Sequence, residues 1–326
     1  MDEFDFIKNL LAPLAGPEGL ELKDDAAIYS PPAGFDLVLA TDTMVEGVHF
    51  PKGRYGGDVA ERLLRVNLSD IAAKAARPVG YLLNLSWPKS ASKSHFAGFV
   101  AGLRDIQSAF DFKLFGGDTT VIDGPFVVSA TLLGLAPKGK VVKRSSALSG
   151  HDVWLTGTIG DACLGLKYVM GQSVGPNPSG EALWHWEEAY LRPEPRILLR
   201  KLLQNYATSS IDISDGLIAD LNHICNASIV GMKILFDKIP LSKPSRDWML
   251  AQNSKEKALR ELITHGDDYE IAFTASPDDR QNILDDAQKL GLRVSLIGEC
   301  VAGKSVILIN LDGEAIKLTK TGYRHF

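Results

Sequence analysis

A tract of fourteen residues divides the chain into two halves, each of which alternates strands and helices. The tract, PKGKVVKRSSALSG at 137–150, combines Pro, Gly and Ser with four cationic side chains, a composition typical of a linker. A chain of 326 residues is long for a single core. We therefore predict an α/β protein of two domains, residues 1–137 and 138–326, each built of layered strands and helices.

The predicted elements follow from the spacing of apolar residues on either side of this tract. In the first half, strands are predicted at 35–41, 79–87, 112–118 and 125–136, and helices at 57–76 and 92–110. In the second half, HDVWLTG, MKILF, DYEIAFTA and LRVSLIG are strand-like, and SSIDISDGLIADLNHIC predicts a strand that turns directly into a helix. We find no sequence repeat between the two halves.

Composition and charge exclude several classes of protein. The net charge of −5 and the lack of a basic tract argue against a nucleic-acid partner. Cys163, Cys225 and Cys300 are far apart, which argues against a structural zinc site and a disulfide framework. No apolar run approaches the roughly 20 residues of a membrane span, and the acidic start, MDEFDFIKNL, predicts an amphipathic helix and not a signal peptide. We expect a cytoplasmic protein with no membrane partner.

One stretch, GECVAGKS at 298–305, matches the phosphate-loop pattern G-x-x-x-x-G-K-[ST]. That pattern binds nucleotide only where a helix follows, because the N-terminus of the helix holds the phosphates. Here the next residues, SVILINLDGEAIKL, are β-branched and contain the turn dipeptide Asp312-Gly313. They predict a hairpin, so we do not expect a nucleotide at this motif.

Aspartates at the ends of predicted strands carry the chemistry. Each alone is typical of a turn or a helix cap. As a set they suggest a site, because ligands bind at strand ends in layered α/β folds, and clustered carboxylates repel one another unless cations neutralise them. Mg²⁺ with substrate phosphates is the usual solution. The set comprises Asp24, Asp25, Asp42 at the end of a strand, Asp70 in the middle of a helix, Asp118, Asp212, Asp215, Asp267 and Asp268.

Three further features suit a phosphate. Gly116 and Gly117 follow a predicted strand, where the backbone can approach an anion closely. Ser214 is predicted as the N-cap of a helix whose N-terminus points at the ligands of the aspartates. Arg144, in the linker, is either a phosphate contact or a solvated arginine.

Histidine and nucleophile patterns add little. His49 lies near Asp42, but a lone histidine is more often structural than a ligand, and the other six histidines show no metal-ligand spacing. No Ser or Cys lies in a G-x-S-x-G context. Phosphoryl transfer, which depends on positioning and charge neutralisation, needs no nucleophile supplied by the protein.

Nine ordered sequence blocks resemble the thiamine-monophosphate kinase family. In chain order they are DDAAI, TDTMVEGVHF, NLSDIAAKAARP, GGDTT, TGTIGDACLGL, RPEPRI, IDISDGLIADLNHIC, GDDYEI and GYRHF. The resemblance implies two domains of the aminoimidazole-ribonucleotide-synthetase type, with the N-terminal domains paired in a homodimer through a shared barrel and the active sites between the domains. It implies transfer of the γ-phosphoryl group of ATP to thiamine monophosphate, giving thiamine diphosphate and ADP.

The resemblance also assigns residues to roles, with no residue acting as nucleophile or base. Ligands of several Mg²⁺ ions would be Asp25, Thr41, Asp42, Asp70, Asp118, Asp212 and Asp215. ATP would contact Gly117, Asp118, Arg144 and Ser214. The thiamine phosphate would contact His49, Asp267 and Tyr323. A potassium requirement is left open.

The chain departs from the family pattern at four positions. Lys23 replaces a Gly before the first aspartate pair, and Tyr323 stands where some relatives have Trp. In the block that is usually GGEDYE, His265 replaces the first Gly and Asp267 is one methylene shorter than the usual Glu. Two other interpretations remain: another ATP-dependent synthetase or phosphotransferase of this fold, and a non-catalytic dimer that binds nucleotide and metal. The EGVHF and GYRHF blocks favour the thiamine enzyme over the first, and the complete aspartate set favours catalysis over the second.

Overall fold

The computed structural model describes residues 7–175, 177–316, 318 and 321–323. These residues form two compact units. The first unit comprises residues up to 71 together with 76–139, and the second comprises 72–75 together with residues from 140 onward. Each unit has its own sheet and its own helices.

The first unit is built on a four-stranded sheet in the order β1-β4-β2-β3. Its strands are β1 (Phe35–Val45), β2 (Arg77–Pro88), β3 (Lys113–Ile122) and β4 (Val127–Pro137). Strands β2 and β3 are parallel, and the other pairs are antiparallel. Two helices, α1 (Gly57–Ala73) and α2 (Lys93–Phe110), complete the unit. The predicted elements are confirmed, although α1 ends three residues before the predicted position 76.

Helices cover one face of this sheet. Gly134 of β4 lies so close to α1 that a Cβ there would be 2.9 Å from the Cγ2 of Ile71. On the opposite face, side chains of β1 are solvent-exposed, including Leu37 (40%) and Leu39 (62%). Because side chains alternate between faces along a strand, this open face is available to other groups.

The second unit is built on a seven-stranded sheet in the order β11-β10-β7-β9-β5-β8-β6. Its strands are β5 (Asp152–Thr156), β6 (Ala207–Asp212), β7 (Gly231–Leu235), β8 (Ile271–Ala275), β9 (Val294–Val301), β10 (Val306–Ile309) and β11 (Ala315–Ile316). Strands β7 and β10 are parallel, and the other pairs are antiparallel. The helices are α3 (Asp161–Val169), α4 (Gly180–Leu191), α5 (Arg200–Tyr206), α6 (Leu217–Ser228), α7 (Lys243–Leu250), α8 (Lys255–Ile263) and α9 (Arg280–Lys289).

The phosphate-loop look-alike lies in a turn between two strands. Gly303, Lys304 and Ser305 connect β9 to β10, and β10 continues into an antiparallel hairpin with β11. The carbonyl of Ser305 accepts a hydrogen bond from the backbone N–H of Met232 at 3.1 Å. The hairpin prediction is therefore confirmed, and β10 occupies the place of the helix that a phosphate loop requires.

Three further expectations concern the N-terminal helix, membrane-spanning segments and the cysteines. The predicted N-terminal helix falls largely on residues 1–6, outside the described residues, and Ile7–Leu11 forms a single π-helical turn. Among the described residues, every helix is too short or too polar to span a lipid bilayer. The three cysteines are buried free thiols.

Close packing of α3 against α4 yields a first prediction. A Cβ at Gly165 would be 1.9 Å from the carbonyl oxygen of Trp186 and 2.8 Å from the Cβ of Tyr190. Gly165→Ala should therefore force the two helices apart and lower the free energy of unfolding by about 2–3 kcal/mol. Urea unfolding followed by circular dichroism measures this change.

Gly180→Ala is the matched control, because Gly180 begins α4 and no described neighbour lies within 4 Å of its added Cβ. We expect its unfolding free energy to stay the same or rise by up to about 1 kcal/mol. Equal losses in the two variants would contradict the packing explanation.

Candidate functional site

In the first unit, a cavity of about 670 Å³ holds part of the predicted aspartate set. One wall is the segment that carries Asp24 and Asp25, and another is strand β3 with Gly117 and Asp118. Leu82 and Leu133 extend the lining with apolar surface. The structure therefore brings Asp25, Gly117 and Asp118 together, as predicted for a site that binds an anion with its cations.

The two glycines lie inside β3 and do not follow it, so that prediction is wrong. Strand β3 continues to Ile122, pairing Gly117 with Leu83 and Asp118 with Asn84 of β2. Gly117 has φ 154°, and a Cβ there would be 1.8 Å from the carbonyl oxygen of Leu83. Only glycine fits at this position, which leaves the strand backbone bare where it meets the cavity.

Asp42 likewise lies in the interior of β1 and not at its end, which corrects the prediction. The register pairs Thr41 with Thr131 and Asp42 with Ala130. The Thr41 hydroxyl donates to the carbonyl of Ala130 and accepts from the Thr131 hydroxyl, both at 3.0 Å, and Thr131 lines the cavity. Because neighbouring residues of a strand project to opposite faces, the Asp42 side chain leaves the sheet on the other face from Thr41.

Asp70 and His49 occupy different surroundings from those expected. Asp70 is half-buried in the last turn of α1, not in the middle of the helix. His49 follows β1, and its Nδ1 accepts a hydrogen bond from the backbone N–H of Val45 at 3.0 Å. This bond assigns the proton of the neutral imidazole to Nε2.

The loop that carries His49 is closed by Glu46, a residue that the sequence analysis did not single out. Its carboxylate accepts from the N–H groups of Gly53 and Phe126, each at 2.7 Å, and from the hydroxyl of Tyr55 at 3.2 Å. Burial raises the pKa of Glu46, but these hydrogen bonds outweigh burial and leave its pKa below the usual value. The sequence signal that could have identified Glu46 was a glutamate close to His49, a predicted substrate contact.

In the second unit, residues 213–216 form an acidic turn between β6 and α6. The buried carboxylate of Asp220 organises it: Oδ2 accepts from the backbone N–H groups of Ser214, Asp215 and Gly216 at 3.0, 3.0 and 3.1 Å. The N-cap residue of α6 is Gly216, with φ 123° and no side-chain cap. Ser214 is therefore not the N-cap, and its N–H, like the next two, is occupied by a carboxylate and unavailable to a phosphate.

Negative charge is concentrated around this turn. Burial, followed by the negative charges of Asp212 and Asp215, raises the pKa of Asp220 to about 8, although the backbone N–H groups act in the opposite direction. Ligand atoms of Asp215, Asp220 and His223 lie within 4.8 Å of one another. A divalent cation here would offset the repulsion between the carboxylates.

The prediction that the other histidines lack metal-ligand spacing is therefore wrong for His223. Asp220 and His223 are three residues apart on α6, and side chains at this spacing share one face of a helix. The Asp-x-x-His pattern in SDGLIADLNH was the signal that could have found both residues.

Two distant segments fold back onto the acidic turn. The N–H of Asp267 donates to the carbonyl of Ser214, and the N–H of Tyr269 donates to the carbonyl of Ile213, both at 2.8 Å. A Cβ at Gly266 would be 2.1 Å from the carbonyl oxygen of Ser214. The N–H of Tyr323 donates to the carbonyl of Asp215 at 2.9 Å.

The second unit therefore gathers most of its predicted site residues at one point: Asp212, Ser214, Asp215, Asp267 and Tyr323. The remainder of the GYRHF block, residues 324–326, lies outside the described residues. The next residue along the chain, Asp268, has a buried carboxyl that accepts a hydrogen bond from the N–H of Gly160 at 2.8 Å. Burial raises the pKa of Asp268 well above the usual value.

Arg144 is held elsewhere by its backbone. Its carbonyl accepts from the hydroxyl of Ser228 at 2.8 Å, at the C-terminal end of α6, whereas the acidic turn lies at the N-terminal end. Its side chain is exposed. Lys23, the departure from the family pattern, forms an ion pair with Glu21 on the surface.

The chain is similar to several known proteins. The AIR synthase related protein N-terminal domain matches residues 23–136, and the corresponding C-terminal domain matches 149–309. A thiamine-monophosphate kinase of Caulobacter vibrioides is 39% identical over 99% of this chain and 90% of the relative. The crystal structure of a thiamine-monophosphate kinase from Stenotrophomonas maltophilia K279a has a TM-score of 0.80 and 36% identity, covering 90% of this chain and 91% of that one. The structure described as AaThiL complexed with AMPPCP and TMP has a TM-score of 0.77 and 27% identity, covering 99% of this chain and 96% of that one.

The two domain matches and the two sheets define the class: this is an AIR synthase related protein with an N-terminal and a C-terminal domain of that type. Within the class, identities of 39% and 31% to curated relatives, over 99% and 100% of the chain, are decisive. The chain belongs to the thiamine-monophosphate kinase family.

Asp220 supplies a second prediction. Asp220→Ala would leave three backbone N–H groups without their acceptor, each in a turn that is largely shielded from water. We expect the free energy of unfolding to fall by about 3 kcal/mol, net of the relieved repulsion. Urea unfolding in a metal-free buffer measures the change.

Asp220→Asn is the control, because it keeps an acceptor oxygen at the same place. Its loss should be less than about half that of the alanine variant. If alanine and asparagine variants were both as stable as the parent protein, Asp220 would not hold the turn.

Proposed function

We propose that the protein transfers the γ-phosphoryl group of ATP to thiamine monophosphate by direct in-line attack, assisted by Mg²⁺. The observation that carries this proposal is the convergence of Asp212, Asp215, Asp267 and Tyr323 on one turn, in a chain of the thiamine-monophosphate kinase family. A related structure is described with AMPPCP and TMP, which supports ATP and thiamine monophosphate as the two substrates.

The proposed metal ligands are the oxygen donors of both units. They are Asp25, Thr41, Asp42, Asp70, Asp118, Asp212 and Asp215. Carboxylate and hydroxyl oxygens are the donors that Mg²⁺ prefers. Burial, and after it the negative charges of Asp212 and Asp215, raises the pKa of Asp220 beside them. When bound, Mg²⁺ would neutralise the phosphates of both substrates.

The proposed nucleotide contacts are Gly117, Asp118, Arg144 and Ser214. Gly117 supports this role, because the missing side chain leaves the strand backbone open to the cavity. Since the N–H of Ser214 is occupied by Asp220, only its hydroxyl is left for the nucleotide.

The proposed contacts for the thiamine phosphate are His49, Asp267 and Tyr323. His49 would donate from Nε2 to the phosphate, since Val45 occupies Nδ1. Tyr323 is 45% exposed, and its backbone N–H donates to the carbonyl of Asp215. Its aromatic ring would stack on the thiazolium cation. The carboxylate of Asp267 would add an opposite charge beside that cation.

The reaction then needs no general base. The acceptor phosphate has a second pKa of about 6, so its attacking oxygen is deprotonated at neutral pH. The obstacle is repulsion between two polyanions, and the protein lowers it by holding both phosphates among its cations and by fixing them in line.

We further propose that the first domain carries the metal and nucleotide part of the site and forms a homodimer, and that the second completes the site. Exposed apolar side chains on the open face of the four-stranded sheet support the pairing; they are Leu37, Leu39 and Leu82. A single species of monomer mass in sedimentation velocity would contradict the homodimer.

Phosphorus NMR of the protein with ATP, Mg²⁺ and thiamine monophosphate tests the reaction. We expect thiamine diphosphate and ADP to appear in equal amounts, and chelation of the metal to stop both. Release of inorganic phosphate without thiamine diphosphate would contradict transfer to this acceptor. A spectrum that shows bound ATP and no product would favour the non-catalytic interpretation.

Asp212→Asn and Asp42→Asn test the metal ligands. Each change removes one negative charge and almost no volume, so the fold should persist while kcat falls by about 100-fold or more. Asp285→Asn, on the exposed face of α9, is the matched control and should keep full activity. If Asp42→Asn kept normal turnover and Asp212→Asn did not, Asp42 would not be a metal ligand.

A further inference from the structure

A cavity of about 470 Å³ lies in the second unit between α4 and α7. Its lining includes the indoles of Trp184 and Trp248, the imidazole of His185, and the side chains of Lys243 and Gln252. The volume is within the range of small-molecule sites, and the lining combines aromatic surface with a few polar groups, as such sites do. The acidic turn lies on other elements, before α6.

The half-buried His185, which lines this cavity, is paired with a buried aspartate behind it. His185 Nε2 lies 3.2 Å from Oδ2 of Asp161, which is 5% exposed. Asp161 also accepts from the hydroxyls of Thr158 at 2.8 Å and of Ser242 and Ser245 at 2.5 Å. Since four donors hold one carboxylate, the position of the imidazole at the cavity is built in and not a chance surface contact.

The three indoles at the cavity differ in how they are held. Trp248 donates Nε1–H to the carbonyl of Val174 at 2.6 Å, and Trp186 donates to the hydroxyl of Ser245 at 3.1 Å. Trp184 lines the same cavity and is 64% exposed. A large exposed aromatic side chain at the mouth of a cavity is the usual anchor for a ligand.

The charges at the cavity favour a cation. Asp161 faces His185, and Asp247 forms an ion pair with Lys243 at 2.7 Å. Glu181 acts electrostatically on both His185 and Lys243, so a third carboxylate lies near the same two basic groups. Lys243 is paired with Asp247, and His185 is paired with Asp161, a buried residue outside the cavity lining. Among the described residues, Glu181 is therefore the lining carboxylate that forms no ion pair within 4 Å. A cation would therefore be attracted here, and the face of Trp184 would add a cation–π interaction.

We propose that this cavity is a second small-molecule site, which binds a planar heteroaromatic cation stacked on Trp184 with Glu181 as its counter-charge. The site is independent of the proposed kinase reaction, because its residues lie outside the set assigned to ATP, metal or thiamine phosphate. The ring would bind by its flat face and its positive charge, so a neutral ring of the same shape should bind less well.

Isothermal titration calorimetry with two matched probes tests this proposal. N-methylquinolinium chloride is a planar cation, and quinoline at pH 8 is its neutral counterpart. We expect the cation to bind with a dissociation constant on the order of 0.1 mM and at least about tenfold more tightly than quinoline. Equal affinity for the two probes, or no heat with the cation up to about 5 mM, would overturn the proposal.

Variants locate the bound probe. Trp184→Ala should weaken binding about tenfold and Glu181→Gln about fivefold, both without loss of thermal stability. Leu250→Ala is the matched control, an exposed apolar residue of α7 outside the cavity lining, and should leave affinity unchanged. Affinity that is unaffected by Trp184→Ala would overturn the site.

A third variant separates this site from the proposed active site. Binding of the cation should be the same in Asp212→Asn as in the parent protein, whatever that substitution does to turnover. Loss of binding in Asp212→Asn, with Trp184→Ala unaffected, would place the cation at the acidic turn and overturn this proposal without testing the kinase reaction.

Discussion

The carboxylate of Asp220 is the contact on which the second half of the candidate site depends. By accepting three consecutive backbone N–H groups, it bends residues 213–216 into a turn whose carbonyls point outward. Those carbonyls then receive the N–H groups of Asp267, Tyr269 and Tyr323. Residues that are more than fifty positions apart in the chain, and for Asp215 and Tyr323 more than a hundred, therefore meet through backbone hydrogen bonds.

The acidic turn and the segment bonded to it combine strained backbone conformations with clustered negative charge. Asp267 and Tyr269 have φ of 63° and 49°, values that non-glycine residues rarely adopt. Asp212, Asp215 and Asp220 bring three carboxyl groups together, and burial, with the repulsion from Asp212 and Asp215 in second place, raises the pKa of Asp220. Strain and clustered charge persist only where surrounding bonds enforce them, and they are common at functional sites. A site made to hold cations and polyphosphates explains both features.

The positions of elements were predictable from the chain, and the detailed place of a residue within an element was not. Apolar periodicity located α2 and β6 to within a few residues, since burial of one face imposes the pattern. Gly117 and Asp42 were expected at strand ends but lie inside β3 and β1. Polar and glycine residues interrupt the apolar pattern, so a strand that continues past them through pairing with β2 or β4 is invisible to periodicity.

By itself the sequence determined the layered α/β class, the hairpin at GECVAGKS, and the family, because periodicity and ordered motifs are local properties of the chain. It also contained the aspartates that a metal–phosphate site requires. Only the tertiary structure decided which of them meet. It placed ligand atoms of Asp220 and His223 close to Asp215, and it made Gly216 instead of Ser214 the N-cap of α6. It also fixed the backbone of Arg144 at the C-terminal end of α6. The reason is that backbone N–H and C=O groups find partners distant in sequence, and those bonds, not the spacing of residues, place the side chains.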